Sequence, residues 1–234
     1  MTVQAIERLL QEEFGFQEML VGFSDLAGCV GSEFSGLTYG ITIGLRLDSE
    51  IVDEIADGPT LRYFQHYTQV NHVLNQMAGR VARWLREGGN AACPLSATIG
   101  GESDLQYQRT LSVGFSHKMG ATRAGLGWIG KSALLVSVKY GPRVRLVTIL
   151  TDHRLPAGTP VTESRCGDCD LCVTRCPAKA ISGREWTAGL PREAFFDAFA
   201  CRETCRRLSQ ERMGILATVC GICVSVCPWG KIRR

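Results

Sequence analysis

The sequence has no apolar run approaching the roughly eighteen residues that a membrane-spanning helix needs. Its first stretch, Met1 to Phe14, is charged and amphipathic, with Ile6, Leu9, Leu10 and Phe14 at helical spacing. That stretch lacks the apolar centre of a secretory leader, and no twin-arginine export signal precedes it. Charge of one sign is scarce too. The 26 Lys and Arg against 23 Asp and Glu leave a net +3, too little by itself to argue for a nucleic-acid partner. These absences set aside a membrane protein and a secreted disulfide scaffold, and cytoplasmic residence is expected. What remains is ordinary globular material, 45% hydrophobic and 21% charged, with length for one large domain or two small ones.

Cysteine is what the chain has in plenty, eleven in 234 residues. Cys166, Cys169, Cys172 and Cys176, followed by Pro177, form the run C-x2-C-x2-C-x3-C-P of bacterial ferredoxins. In that run three thiolates hold one cubane and the fourth reaches a second cluster. Cys220, Cys223 and Cys227, followed by Pro228, supply three more thiolates. A cubane pair needs eight, and either Cys201 or Cys205 can complete the set. Structural zinc favours separated C-x2-C pairs and needs only four ligands, so iron–sulfur is the better reading. From Glu163 onward, 12 Lys and Arg face 8 Asp and Glu, including Lys231, Arg233 and Arg234 at the end. That excess reads first as solvated charge, with docking of an acidic electron donor as its functional alternative.

Upstream, the pattern is α/β. Gln17 to Phe23 reads as a strand. Leu37 to Leu47 alternates as a half-buried strand, with Gly40 and Gly44 opposite its apolar face. Between them, the glycine-rich loop Gly28 to Gly36 holds Cys29, an apolar filler. Ser49 to Ala56 predicts a short helix. A long helix from Thr60 to Gly88 follows, with Leu61, Phe64, Leu74, Met77, Val81, Trp84 and Leu85 as its core stripe. His66 and His72 on it receive no role. Asn90 to Thr98 reads as a strand interrupted at Cys93-Pro94, Gly100 to Gln108 as loop, Leu111 to Phe115 as strand and His117 to Arg123 as helix. Ala133 to Val138 and Val144 to Leu150 are expected to pair as a hairpin around Tyr140-Gly-Pro142. The linker is placed at Leu155 to Ser164. The chain has no internal repeats beyond the two cysteine runs.

Gly125-Leu-Gly-Trp-Ile-Gly130 matches G-x-G-x-x-G, and its extension to Ser132 matches G-x4-G-K-S. Both nucleotide motifs require a strand before the glycines and a helix after them. Here the order is reversed, with a helical pattern before and the strand-like Ala133 to Val138 after. The glycines instead imply backbone brought close to a ligand or another segment, with Lys131 placed to meet an anion or amide.

Arg123-Ala-Gly-Leu-Gly-Trp-Ile-Gly-Lys131, then β-rich segments, the four-cysteine run, an isolated cysteine and Cys220-x2-Cys223-x3-Cys227-Pro-Trp229 together resemble the epoxyqueuosine reductases. Their wider relatives are the corrinoid-dependent reductive dehalogenases. The resemblance is specific from about Ser116 to Gly230 and loose before that. It implies a nitroreductase-like mixed-sheet domain over residues 1–155, holding a base-off cobalamin. A ferredoxin-like domain with two [4Fe–4S] clusters would then occupy residues 164–234. Arg123, Gly125, Gly127, Trp128, Gly130 and Lys131 would line the corrinoid. One cubane would be held by Cys166, Cys169, Cys172 and Cys227. The other would be held by Cys176, Cys201, Cys220 and Cys223, with Cys201 preferred over Cys205 because Asp197-Ala-Phe-Ala-Cys201 sits where the family places its lone ligand. Electrons would come from a ferredoxin or flavodoxin.

Two departures shape the functional expectation. The family's acidic proton donor, about fourteen positions before the glycine turn, is replaced by Leu111-Ser112-Val113, and the family's tRNA-gripping repeats do not follow the clusters. A reductase acting on a small molecule or a corrinoid protein, not on tRNA, is therefore expected. His117, Lys118 and Tyr107 are the candidates for proton transfer or substrate contact. The alternative is an electron-transfer protein that reduces a corrinoid or flavin on a partner. A flavin in this chain's own core is the lesser cofactor expectation.

Overall fold

The computed structural model describes residues 2–16, 18–98 and 104–231. The start of the expected first strand at Gln17, the loop residues Gly100 to Ser103, and Arg233 and Arg234 of the basic tail lie outside the described residues. In chain order the elements are α1 (Val3–Phe14), β1 (Met19–Asp25), β2 (Tyr39–Arg46), α2 (Ser49–Asp53), α3 (Leu61–Glu87), β3 (Ala92–Pro94), α4 (Leu105–Thr110), α5 (His117–Arg123), β4 (Gly127–Ile129), β5 (Leu135–Ser137), β6 (Val144–Thr151), α6 (Leu171–Thr174), α7 (Ala198–Met213) and α8 (Ile222–Ser225). Among the described residues no helix is long and apolar enough to cross a membrane.

These elements fall into two compact units, and the division is not the expected cut near residue 160. A sheet unit comprises Met1–Arg46, Val70–Leu126 and Arg145–Val161. A cluster unit comprises Leu47–Gln69, Gly127–Val144 and Thr162–Arg234. The cluster unit therefore recruits two stretches from the half that was expected to be wholly nitroreductase-like. Neither of its recruited segments carries a cysteine, so nothing in their composition announced the association.

In the sheet unit the strands lie in the order β1-β2-β6-β3, with β1 antiparallel to β2 and β3 antiparallel to β6. Strand β2 is buried on both faces, not half-buried. Ile41, Ile43 and Leu45 are sealed from water on one side, and Thr42 is equally inaccessible on the other. The reason is α5, whose Gly120 comes so close that a Cβ there would lie 2.6 Å from Thr42 Oγ1. The expected hairpin also re-sorts. Strand β6 joins the main sheet beside β2, whereas β5 pairs antiparallel with β4 of the glycine turn. Long helix α3 forms as read, but Leu61 is exposed and the buried stripe runs through Val70, Leu74, Met77, Val81 and Leu85. Leu111 to Phe115 is not a strand: Leu111 takes φ 48°, closing α4 in the left-handed region.

Candidate iron–sulfur centre

Short helices and left-handed glycines position the thiols of the cluster unit. Gly167, at φ 56°, turns the chain between Cys166 and Cys169; one turn of helix, α6, then carries Cys172 and delivers Cys176. Gly221, at φ 85°, is the N-cap of α8, which carries Cys223 and leads to Cys227 and Pro228. A Cβ on Gly221 would run into the Ile55 side chain, so the second run lies directly on the recruited 47–69 segment. Helix α7 starts at Asp197, whose carboxylate accepts from the amides of Phe199 and Ala200. Cys201 sits in its first turn and Cys205 one turn later.

All eleven cysteines are free thiols. Burial first, and then the thiols of Cys166, Cys227 and Cys169, push Cys172 up to about 11. Cys227 is likewise raised by burial and by Cys166 and Cys169. Cys223 is raised by burial and then by Cys201, Cys220, Cys172 and Cys176, so it has thiol neighbours from both ends of the unit. The ninth thiol, Cys205, lies with Cys201 (Sγ to Sγ 3.8 Å) and has Cys220 as its other thiol neighbour. A cavity lined by Cys166, Cys169, Cys172, Cys223 and Cys227 opens beside Trp229.

The glycine turn serves this centre directly. Lys131, only 7% exposed, donates from Nζ to the carbonyls of Gly167 (2.7 Å) and Cys169 (3.0 Å), clamping the loop that carries the first two thiols. A Cβ on Gly130 would stand 2.8 Å from the Val136 side chain and 3.5 Å from Cys166 Sγ. Gly127 is pressed against the backbone of Val136 and Ser137 across the β4–β5 pair. Trp128 is buried, edge-on to Trp229 with ring centroids 4.8 Å apart. Gly125 and Arg123 belong to the sheet unit. There Gly125, at φ 76°, approaches the Thr159 carbonyl and Arg123 donates to the Asp25 carbonyl.

These placements bear on the corrinoid expectation. Trp128 and Lys131 are turned into the interior of the cluster unit, and the close approaches that the glycines permit are made by the chain itself. Arg123 and Gly125, by contrast, are only half-buried. Iron–sulfur chemistry does fit: nine soft thiols lie in one unit, and Lys131 engages two carbonyls of the loop that carries the first of them.

The proton-transfer candidates do not assemble either. His117 is inside the sheet unit with both ring nitrogens engaged, Nε2 with the Ser96 carbonyl at 2.8 Å and Nδ1 with Thr148 Oγ1 at 3.1 Å. Burial, opposed by the Ser96 contact and aided by Arg145, lowers its pKa to about 4, so it is neutral at pH 7 and structural. Lys118 follows it, half-buried, and Tyr107 is part-exposed on α4. What sequence spacing missed is Glu33. Its carboxylate lies against Gly114, bringing an acid to the stretch after Leu111 from eighty residues upstream. Arg143 was missed as well. Its side chain is 1% exposed and joins the Ser49 carbonyl, Asp53 and the Ser225 carbonyl, yet a lone arginine after a proline carries no periodic signal.

Comparison with known proteins agrees with this geometry. Residues 165–230 match the family described as 4Fe-4S double cluster binding domain. The epoxyqueuosine reductase of Synechococcus sp. (strain RCC307) is 31% identical over 161 residues, covering 69% of this chain and 45% of that one. The epoxyqueuosine reductase of Aliivibrio fischeri (strain ATCC 700601 / ES114) is 34% identical over 122 residues, 47% of this chain and 29% of its own. The chain thus spans less than half the length of these curated relatives. Among solved structures, the catabolic reductive dehalogenase NpRdhA, in complex with 3-bromo-4-hydroxybenzoic acid, superposes with a TM-score of 0.67 at 19% identity. That match covers 91% of this chain and 30% of the dehalogenase. An epoxyqueuosine reductase bound to a tRNA-Tyr epoxyqueuosine-modified stem loop gives 0.55 at 19% identity, over 97% of this chain and 58% of its own. The mixed α/β fold is shared with both. The chain is a relative of the epoxyqueuosine reductases, with a 4Fe–4S double cluster binding domain in its C-terminal third.

Proposed function

We propose that this chain is an iron–sulfur reductase in which two [4Fe–4S] clusters relay single electrons to a substrate other than tRNA. The observation that carries the reading is the gathering of nine thiols in one unit that matches a 4Fe-4S double cluster binding domain over residues 165–230. In this reading Cys166, Cys169, Cys172 and Cys227 hold one cluster, and Cys176, Cys201, Cys220 and Cys223 hold the other. Bound, the clusters supply one-electron steps; the chain's own residues hold and insulate them. Lys131 fixes the Gly167–Cys169 loop, Gly130 lets the turn pass Cys166, and Arg143 ties α2 to the end of α8. The close approach of Cys172 and Cys223, each from a different set, gives the electron a short path between clusters.

A two-electron reduction also takes up protons. Glu33 is the acid proposed here, because its carboxylate lies against Gly114 while both nitrogens of His117 are engaged. A net charge of +3 gives little hold on a polyanion, which supports a substrate other than tRNA. A ferredoxin or flavodoxin is the proposed donor. No step is routed through cobalamin, since Trp128 and Lys131, two of the residues that the resemblance assigned to it, are turned into the cluster unit.

Anaerobic reconstitution tests this reading. About eight iron and eight sulfide per chain, with EPR signals of two reduced cubanes, is the expected result, and four of each defeats it. Titration with cob(II)alamin is expected to leave its spectrum unchanged in the absence of reductant; stoichiometric conversion to a base-off signal would instead make a bound corrinoid the acceptor. Filter binding of an epoxyqueuosine-modified stem loop is expected to be weak, and tight binding would reinstate tRNA.

A further inference from the structure

The ninth thiol of the cluster unit is unused by that reading. Cys205 lies on the buried side of α7, 6% exposed, one turn after Cys201. Its sulfur is 3.8 Å from Cys201 Sγ, and Cys220 is its other thiol neighbour. The contact is held from both ends. Asp197 caps the helix before Cys201, and Ser209 Oγ, one turn beyond Cys205, donates to the Val219 carbonyl at 2.7 Å, next to Cys220. Cys205 therefore stands one helical turn beyond Cys201, on the same side of α7.

Resting on the two-cluster reading, we propose that Cys205 is a positioning and tuning residue, not a ligand: its S–H is shared between the Cys201 and Cys220 sulfurs and stabilises the reduced form of the cluster they hold. A thiol is a weak donor toward a neutral sulfur, but hydrogen bonds to ionised acceptors are roughly twice as strong as neutral ones. Reducing a cubane by one electron adds negative charge to the cluster and its thiolates, so the bond strengthens on reduction and the potential rises. The consequence is an inequality between two clusters with otherwise similar ligands. The Cys201 and Cys220 cluster becomes the better electron sink, and the Cys166 and Cys227 cluster stays at lower potential.

EPR-monitored redox titration of the reconstituted full chain tests this, with iron and sulfide analysis alongside. For Cys205→Ala we expect both clusters to be retained and one midpoint to fall by a factor of about ten in the reduction equilibrium, that is about 59 mV for one electron. The other midpoint should stay in place, and Cys205→Ser, which restores a donor, should recover part of the shift. Loss of one cluster in Cys205→Ala would make Cys205 the eighth ligand and overturn the proposal. Retention of both clusters with unchanged midpoints would overturn it too. Should either variant fail to fold, the unmodified protein still decides. Proton ENDOR must show an exchangeable proton on one cluster that vanishes in deuterium oxide, and its absence refutes the hydrogen bond. A parent protein with fewer than two cubanes would sink the underlying reading before any variant is compared.

Discussion

In the sheet unit the buried polar groups satisfy one another. Thr42, Thr148 and His117 form a short chain of hydrogen bonds among Ile41, Ile43 and Val147, all sealed from water. In the cluster unit buried Arg143 and Lys131 instead reach out to loop carbonyls. One unit is closed by side-chain packing on a sheet. The other winds loops, left-handed glycines and single-turn helices around a donor set, leaving its backbone to be organised from inside. Metal binding to such a site is also folding free energy, because the preformed site does not exist in the unfolded chain. The two units should therefore fail differently, and the sharpest tests exploit that difference.

The largest effect belongs to the thiols. Cys172→Ser removes a donor from the first set and should cost one cluster, about half the iron, by metal analysis. Limited proteolysis should then cut within residues 162–231 while the sheet unit stays protected. Equal protection of both units would mean that the cluster unit folds without its metal. Next comes Arg143→Ala. With the clusters intact, loss of a fully buried guanidinium that serves two carbonyls should lower stability by about 2–3 kcal/mol in denaturant titration. No change would mean the clusters alone hold the unit and the protein scaffold there is passive.

The comparison also explains what could be read ahead of the structure. Cysteine spacing is a chemical constraint written locally, so Cys166 to Cys176 and Cys220 to Cys227 declared the double cluster domain, whereas spacing alone left Cys201 and Cys205 as equal candidates for the lone ligand. Helix α3, with its periodic stripe and the Thr60 hydroxyl accepting from the Tyr63 amide, was legible for the same reason. Pairing was not. Residues 133–138 and 144–150 look alike as β-rich runs, and only tertiary context sends β5 to Gly127–Ile129 and β6 into the sheet. Burial of β2 on both faces depended on Gly120 in a helix 78 residues downstream of Thr42. Long-range contacts of this kind, like Glu33 on Gly114, leave no periodic trace.

Gly120→Ala probes the sheet unit where it is tightest. The new Cβ would lie 2.6 Å from Thr42 Oγ1 and 3.3 Å from Thr148 Oγ1, and neither threonine has room to retreat within the strands. Overpacking of this kind costs about 2 kcal/mol. Iron content should remain that of the parent, because the strain falls in the unit that holds no cluster. Loss of iron on this substitution would show that the two units do not fail independently.

The smallest effect is a pH slope, and His117 is its source. With its pKa lowered from 6.5 to about 4 in the folded chain, the ring is neutral when native and takes up a proton on unfolding below 6.5. The unfolded state then binds more protons, so stability is full above pH 6.5 and declines as the pH falls toward 4. Between pH 7.5 and 5.5 the expected loss is about 1 kcal/mol, measured as a shift of the urea midpoint for the sheet-unit transition. In His117→Gln, which keeps an amide donor but cannot titrate, that slope should flatten while the stability at pH 7.5 changes little. A slope unchanged in the variant would place the titrating group elsewhere. It would also remove the physical reason for treating His117 as part of the packed core and leave it open to proton transfer after all.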